Sequence, residues 1–139
     1  MIDEKMRDRA CKFALSSLSH SDSSKNALYN KLLLRGFDKE TASFALDYVL
    51  SFGYINEEGQ IEKIATELCT RKCFGKRKIV ARLLSKGYPR DLIFKTLSRL
   101  TESGELDFFA ARERLLSKYD GLSHEEQIKI LYKYGFNDV

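Results

Sequence analysis

Arg82-Leu83-Leu84-Ser85-Lys86-Gly87-Tyr88 is written almost the same way twice more, as Leu33-Leu34-Arg35-Gly36-Phe37 and as Leu131-Tyr132-Lys133-Tyr134-Gly135-Phe136. Self-similarity at a regular period outranks any local signal in reading a fold. Gly36 to Gly87 is 51 residues and Gly87 to Gly135 is 48, so one supersecondary unit is written, copied and begun a third time. Each box reads as the last turn of an amphipathic helix. A basic residue stands near the end, then comes a glycine where the backbone needs positive φ, then an aromatic ring that folds back onto the helix. Helix starts follow each box: Asp38 as an N-cap, Pro89 at a first helical position, Asn137 as the cap of another helix.

Outward from the boxes, the same register holds. Asp3 to Leu18 predicts a leading helix with Met6, Ala10, Phe13, Ala14 and Leu18 on one face. Ser23 or Ser24 caps the helix that ends at Arg35, edged by Leu28, Tyr29, Leu32 and Leu33. From Asp38 to about Phe52, Ala42, Ala45, Leu46, Val49 and Leu50 form a buried stripe. Ile93, Leu97 and Leu100 stand 51 residues beyond Ala42, Leu46 and Val49, and Gly104 stands 51 beyond Gly53. A third helix follows in each copy, capped by Asn56 and by Asp107. Ser123 and Glu126 form a capping-box pattern for the last helix.

The expected fold is therefore all-α, with tandem three-helix repeats forming an elongated, curved helical array. Its segments are an N-terminal helix over 1–22, repeats over 23–75 and 76–121, and the first helix of a third over 122–139. The single proline and the placement of the eight glycines between periodic segments suit helices rather than strands. Stacked units of this kind offer a concave surface for another macromolecule, with the chain acting as a monomer.

No run of about eighteen apolar residues occurs, and the Met1-Ile2-Asp3-Glu4-Lys5 start lacks a secretory pattern, so neither a membrane span nor export is expected. The reading is cytoplasmic. Cys11, Cys69 and Cys73 are an odd set expected to stay reduced as packing residues; with His20 and His124 they fit no usual zinc spacing. There is no phosphate loop, dinucleotide turn, His-Glu-x-x-His or nucleophile elbow. The helix macrodipole explains Glu57-Glu58 and Glu125-Glu126 at helix starts without catalysis. The chain reads as a non-enzyme with no cofactor and no metal.

The formal charge of +4 is unevenly spread. Between Arg71 and Arg90 stand eight basic residues and no acid, while the rest of the chain has a net charge of −4. Like charges without a carboxylate among them repel, so the stretch predicts a contact for phosphates or for an acidic protein surface. Gly75-Lys76-Arg77-Lys78 falls at a helix N-terminus, where an anion would relieve both the repulsion and the unfavourable macrodipole.

These residues resemble the RecX regulatory proteins of bacteria, which are built from tandem three-helix repeats. The resemblance is carried by Lys31-Leu32-x-x-Arg35-Gly36-Phe37, by Gly53-Tyr54-Ile55-Asn56-Glu57, and by Gly75-Lys76-Arg77-Lys78-Ile79 leading to Leu83-x-x-Lys86-Gly87-Tyr88, and runs from about Ala10 to Phe136. The family usually has two aspartates at Asn56-Glu57, a Phe-Ala pair at Gln60-Ile61, proline at Lys76 and an acid at Arg82; the last two departures add positive charge. The third repeat, usually longer, stops here after one helix.

The resemblance implies a cytoplasmic modulator of the RecA recombinase that binds in the groove of the RecA filament on single-stranded DNA and restrains its ATPase and strand exchange. By that analogy the interaction surface is Arg71, Lys72, Lys76, Arg77, Lys78, Arg82, Lys86 and Arg90, with Lys31 and Arg35 in second rank. A rival reading is a helical module that binds DNA directly, without sequence specificity, through its basic face. A third is an adaptor indifferent to nucleic acid.

Overall fold

In the computed structural model, residues 3–137 are described. The chain ends assigned above to the outermost segments, Met1-Ile2 and Asp138-Val139, lie outside them. The described residues form eight α-helices and no strand: α1 (Glu4–His20), α2 (Lys25–Leu34), α3 (Lys39–Ser51), α4 (Glu57–Lys72), α5 (Lys76–Ser85), α6 (Arg90–Glu102), α7 (Phe108–Lys118) and α8 (His124–Lys133). The all-α reading holds.

The helices begin where polar side chains take the first free N–H groups. Ser24 accepts from Ala27 N–H at 3.1 Å, Asp38 from Thr41 at 2.8 Å, Asn56 from Gly59 at 3.0 Å and Asp107 from Ala110 at 3.0 Å. Ser123 and Glu126 complete a reciprocal capping box. Pro89 departs from expectation. It is the N-cap of α6 rather than its first residue, because its ψ of 139° is still extended and only Arg90 turns helical.

The corners recur as the repeat requires. Gly36, Gly87 and Gly135 have φ of 105°, 94° and 100°, and Phe37, Tyr88 and Phe136 beside them are buried. Phe37 N–H reaches back to Leu32 O at 3.2 Å and Phe136 N–H to Leu131 O at 2.9 Å, which closes the helix end in the same way at both corners. α4 ends differently: Cys73, at φ 56°, stands where the other corners have glycine, and Phe74 N–H returns to Leu68 O at 3.2 Å.

Two compact units divide the chain, Met1–Gln60 with Lys86–Tyr88, and Ile61–Ser85 with Pro89–Val139. In the first, α1, α2 and α3 pack on one another around Ala10, Ala14, Leu28, Leu32, Phe37, Ala42, Ala45 and Val49. Small residues on α1 and α3, Ala10, Ala14, Ala42 and Ala45, let those helices approach closely. In the second, α5 packs on α6 and α7 on α8, with Ile79, Leu83, Ile93, Leu97, Leu115 and Leu131 buried.

One joint is built twice. In the first unit the start of α2 meets the Gly87 corner: Ser24 Oγ donates to Lys86 O at 2.8 Å and Asn26 Nδ2 to Gly87 O at 2.9 Å. In the second the start of α5 meets the Gly135 corner: Gly75 N–H donates to Tyr134 O at 2.7 Å and Arg77 N–H to Gly135 O at 3.2 Å. Each joint gives free carbonyls at a helix end the donors they lack within the helix. Ser24 is 1% exposed and serves both as cap acceptor and as joint donor. Ser24→Ala should therefore lower stability by about 2 kcal/mol, more than Ser123→Ala at about 1 kcal/mol. Urea midpoints of the two variants check this, and equal losses would mean that the joint bond adds nothing.

Tyr88 closes the first unit from below, donating its hydroxyl to Gln60 Oε1 at 2.6 Å. Burial, then the Glu57 and Asp22 carboxylates, push its phenol up to about 12. A folded pKa raised above the unfolded one, about 10, means a contribution intact below pH 10 that disappears as pH climbs to about 12. Tyr88→Phe has no proton to lose there. Its urea midpoint should fall less steeply over that range than the parent's, and parallel profiles would contradict the assignment.

Glu57 also has a different task from the one its helix-start position suggests. It is buried, accepts Lys25 N–H at 3.0 Å and lies 3.7 Å from Lys25 Nζ, so it serves the N-terminus of α2 as well as standing at that of α4.

Candidate functional site

α4 ends with Arg71 and Lys72, the chain turns at Cys73, and Phe74 is driven inward as the next apolar residue before α5 begins. Cations gather round the Phe74 ring: Lys78 Nζ at 4.4 Å, the Arg82 guanidinium at 5.7 Å and Lys72 Nζ at 6.0 Å from its centroid. Tyr134 meets Phe74 edge-on at 6.0 Å and is itself 5.3 Å from Lys78 Nζ. The electron-rich ring faces partly offset the repulsion between the ammonium and guanidinium groups.

Repulsion nevertheless remains. The Lys78 ammonium is held below the usual lysine range by burial first, then by Arg82, Lys133, Arg77 and Lys72. Four cations thus act on Lys78. Among the described residues, Arg71 is the one cation of the 71–90 stretch in an ion pair, with Glu67 at 3.7 Å, and both partners are largely exposed. Such a pair contributes little.

Lys133 was missed by the sequence reading. It comes from α8, in the third box, two residues before Gly135, whereas Arg35 and Lys86 directly precede their glycines. The basic residue in the third box was visible, but the joint that carries that box to α5 was not.

The joint also changes the expectation for the start of α5. Its N–H groups do not wait for an anion: Tyr134 O and Gly135 O accept from Gly75 and Arg77. The Arg77 side chain lies 4.4 Å over the Tyr132 ring, donates Nε to Asn137 Oδ1 at 3.0 Å and donates through its terminal nitrogen to Tyr132 O. Lys78 Nζ donates to Lys133 O at 3.5 Å. Carbonyls at the end of α8 thus take the place proposed for an outside anion, and Arg77 and Lys78 act as caps of α8.

The remaining candidates make other contacts. Lys76 is exposed, with Nζ 5.5 Å from the centroid of the Phe94 ring, at the edge of a cleft of about 550 Å³. Arg90 is the exposed first residue of α6. The other three belong to the first unit. There Lys86 is exposed, Lys31 Nζ donates to Ser23 Oγ at 3.0 Å, and the Arg35 guanidinium lies 4.8 Å over Phe13.

Cys69 and Cys73 are buried, burial pushes the Cys69 thiol up, and no group of three potential metal ligands occurs among the described residues. No described helix is long and apolar enough to cross a membrane. The chemistry this surface offers is attraction and hydrogen-bond donation to anionic groups.

No family model matches the sequence. A regulatory protein RecX of Clostridioides difficile (strain 630) is 30% identical over 136 residues, which cover 96% of this chain and 61% of that protein. The chain therefore spans about three fifths of that relative's length. A regulatory protein RecX of Vibrio cholerae serotype O1 (strain ATCC 39315 / El Tor Inaba N16961) is 30% identical over 131 residues, 89% of this chain and 83% of that protein. The crystal structure of RecX from Lactobacillus salivarius shares the fold with a TM-score of 0.79 at 17% identity, covering 96% of this chain and 90% of that one.

Proposed function

The chain belongs to the RecX family of regulatory proteins, and from that premise we propose that it binds the RecA filament on single-stranded DNA and restrains its ATPase and strand exchange. It does so as a cytoplasmic protein without catalytic chemistry of its own. The observation that carries the reading is the cluster of Lys72, Lys78 and Arg82 around Phe74, with Arg77 and Lys133 also acting on the Lys78 ammonium and no carboxylate of the described residues in ion-pair contact with the cluster. A surface of this kind is stabilised when phosphates or carboxylates of a partner enter its field. A nucleoprotein filament supplies both.

Co-sedimentation with RecA assembled on single-stranded DNA, with ATP hydrolysis followed in parallel, tests the proposal. The expected result is co-sedimentation well above that with bare DNA, together with a fall in ATPase rate. If bare DNA alone retains the protein, with a salt slope of about −0.7 per neutralised phosphate, the direct DNA-binding reading replaces it. Failure to bind either overturns both.

A further inference from the structure

We propose that the cleft beside Lys76 is a docking site for an acidic segment of a partner protein that inserts one bulky apolar side chain. Val80, Phe94, Phe108 and Phe136 make its floor, and Lys76, Arg77 and Asn137 its rim. Its volume, about 550 Å³, lies in the range of ligand-binding clefts, and all these residues belong to one compact unit. Lys76 and Val80 lie on a different face of α5 from Lys78 and Arg82, and the inference does not rest on the filament reading.

The chemistry of the rim selects the charge of the occupant. Lys76 brings an exposed ammonium with no carboxylate in ion-pair contact among the described residues. Asn137 Oδ1 already accepts from Arg77 Nε, which leaves the amide nitrogen of Asn137 and the unused guanidinium N–H groups of Arg77. The rim therefore offers mainly donors, and donors fixed in this way match carboxylates or phosphates.

The floor selects between those two. It consists of hydrocarbon and ring carbon, so a nucleobase pushed into it would lose the hydrogen bonds of its edge without replacement. A Phe, Leu or Ile side chain loses nothing. The face of Phe94, 37% exposed, is also partly covered by the Lys76 ammonium, which makes it a poor platform for base stacking. An acidic peptide with a hydrophobic anchor meets both demands, the anchor below and the carboxylates at the rim.

Fluorescence anisotropy with a labelled peptide of aspartates flanking a Phe-Leu pair tests this on the full chain. A second peptide carries Ala-Ala at the pair, and a labelled oligothymidylate serves as the nucleic-acid probe. Binding of the first peptide is expected to exceed that of the second by about tenfold or more. Lys76→Glu and Phe94→Ala should each weaken it by about tenfold.

Both positions are exposed, and glutamate at the first residue of α5 suits the helix dipole, so helicity by circular dichroism should be unchanged. Equal binding of the two peptides would reduce the effect to charge alone and overturn the proposal. So would indifference to both substitutions, absence of peptide binding, or oligothymidylate binding that Phe94→Ala abolishes.

Discussion

Gly135→Ala is expected to lower the stability of the chain by about 3–5 kcal/mol, whereas Gly36→Ala lowers it by only about 1–2 kcal/mol. The two glycines stand at equivalent corners with nearly the same φ, 100° and 105°, so the backbone strain of adding a side chain is shared. The surroundings differ. A Cβ at Gly36 meets nothing within 4 Å, while at Gly135 it would lie 2.6 Å from both the backbone nitrogen and the Cβ of Lys78. No rotamer change can move a backbone nitrogen aside.

The joint between α5 and α8 must open instead. That weakens the Gly75–Tyr134 and Arg77–Gly135 hydrogen bonds, each contributing about 1 kcal/mol, and exposes part of Phe136. Urea unfolding of the two variants gives the comparison, and amide exchange locates the damage, with protection lost first on α8. Equal losses at Gly36 and Gly135 would show that the second joint contributes little.

The second large effect concerns binding. Replacing Lys72, Arg82 and Lys133 together by alanine is expected to weaken co-sedimentation with the RecA filament by about a hundredfold or more, since each removes a charged donor with a typical contribution of about 1.5–3 kcal/mol. All three side chains are exposed, so stability should change by less than about 1 kcal/mol. The choice of residues matters. Replacing Lys76, Arg77 and Lys78, the three cations adjacent in sequence, would also remove the Arg77 and Lys78 caps on the carbonyls of α8, and a loss of binding would then be confounded with damage to the joint. Unchanged filament binding by the Lys72, Arg82, Lys133 variant would place the interaction surface elsewhere.

Much of this molecule was legible from residue order. Apolar spacing located the eight helices, and Ser24, Asp38, Asn56, Asp107 and Ser123 marked their starts, because a cap acts on N–H groups two or three residues away. The glycine corners were legible for the same reason: a positive φ followed by an inward ring is a short-range event. The cationic stretch was legible too, as a count of charges. Cys73 in a left-handed corner was not, since nothing in its side chain announces that conformation.

Periodicity along the chain says which face of a helix is apolar, and it does so over a span of one or two turns. Which helix end meets which corner depends instead on contacts between residues some 55 to 62 positions apart, such as Ser24 with Lys86 and Arg77 with Tyr132. Those contacts brought Lys133 into the cation cluster and turned Arg77 and Lys78 into caps, and a contact over 32 positions set Glu57 against the start of α2. Local sequence therefore specified the helices and their boundaries. The assignment of each cation to binding or to holding two helices together came from packing, because a charge does not reveal its neighbour until the chain has folded.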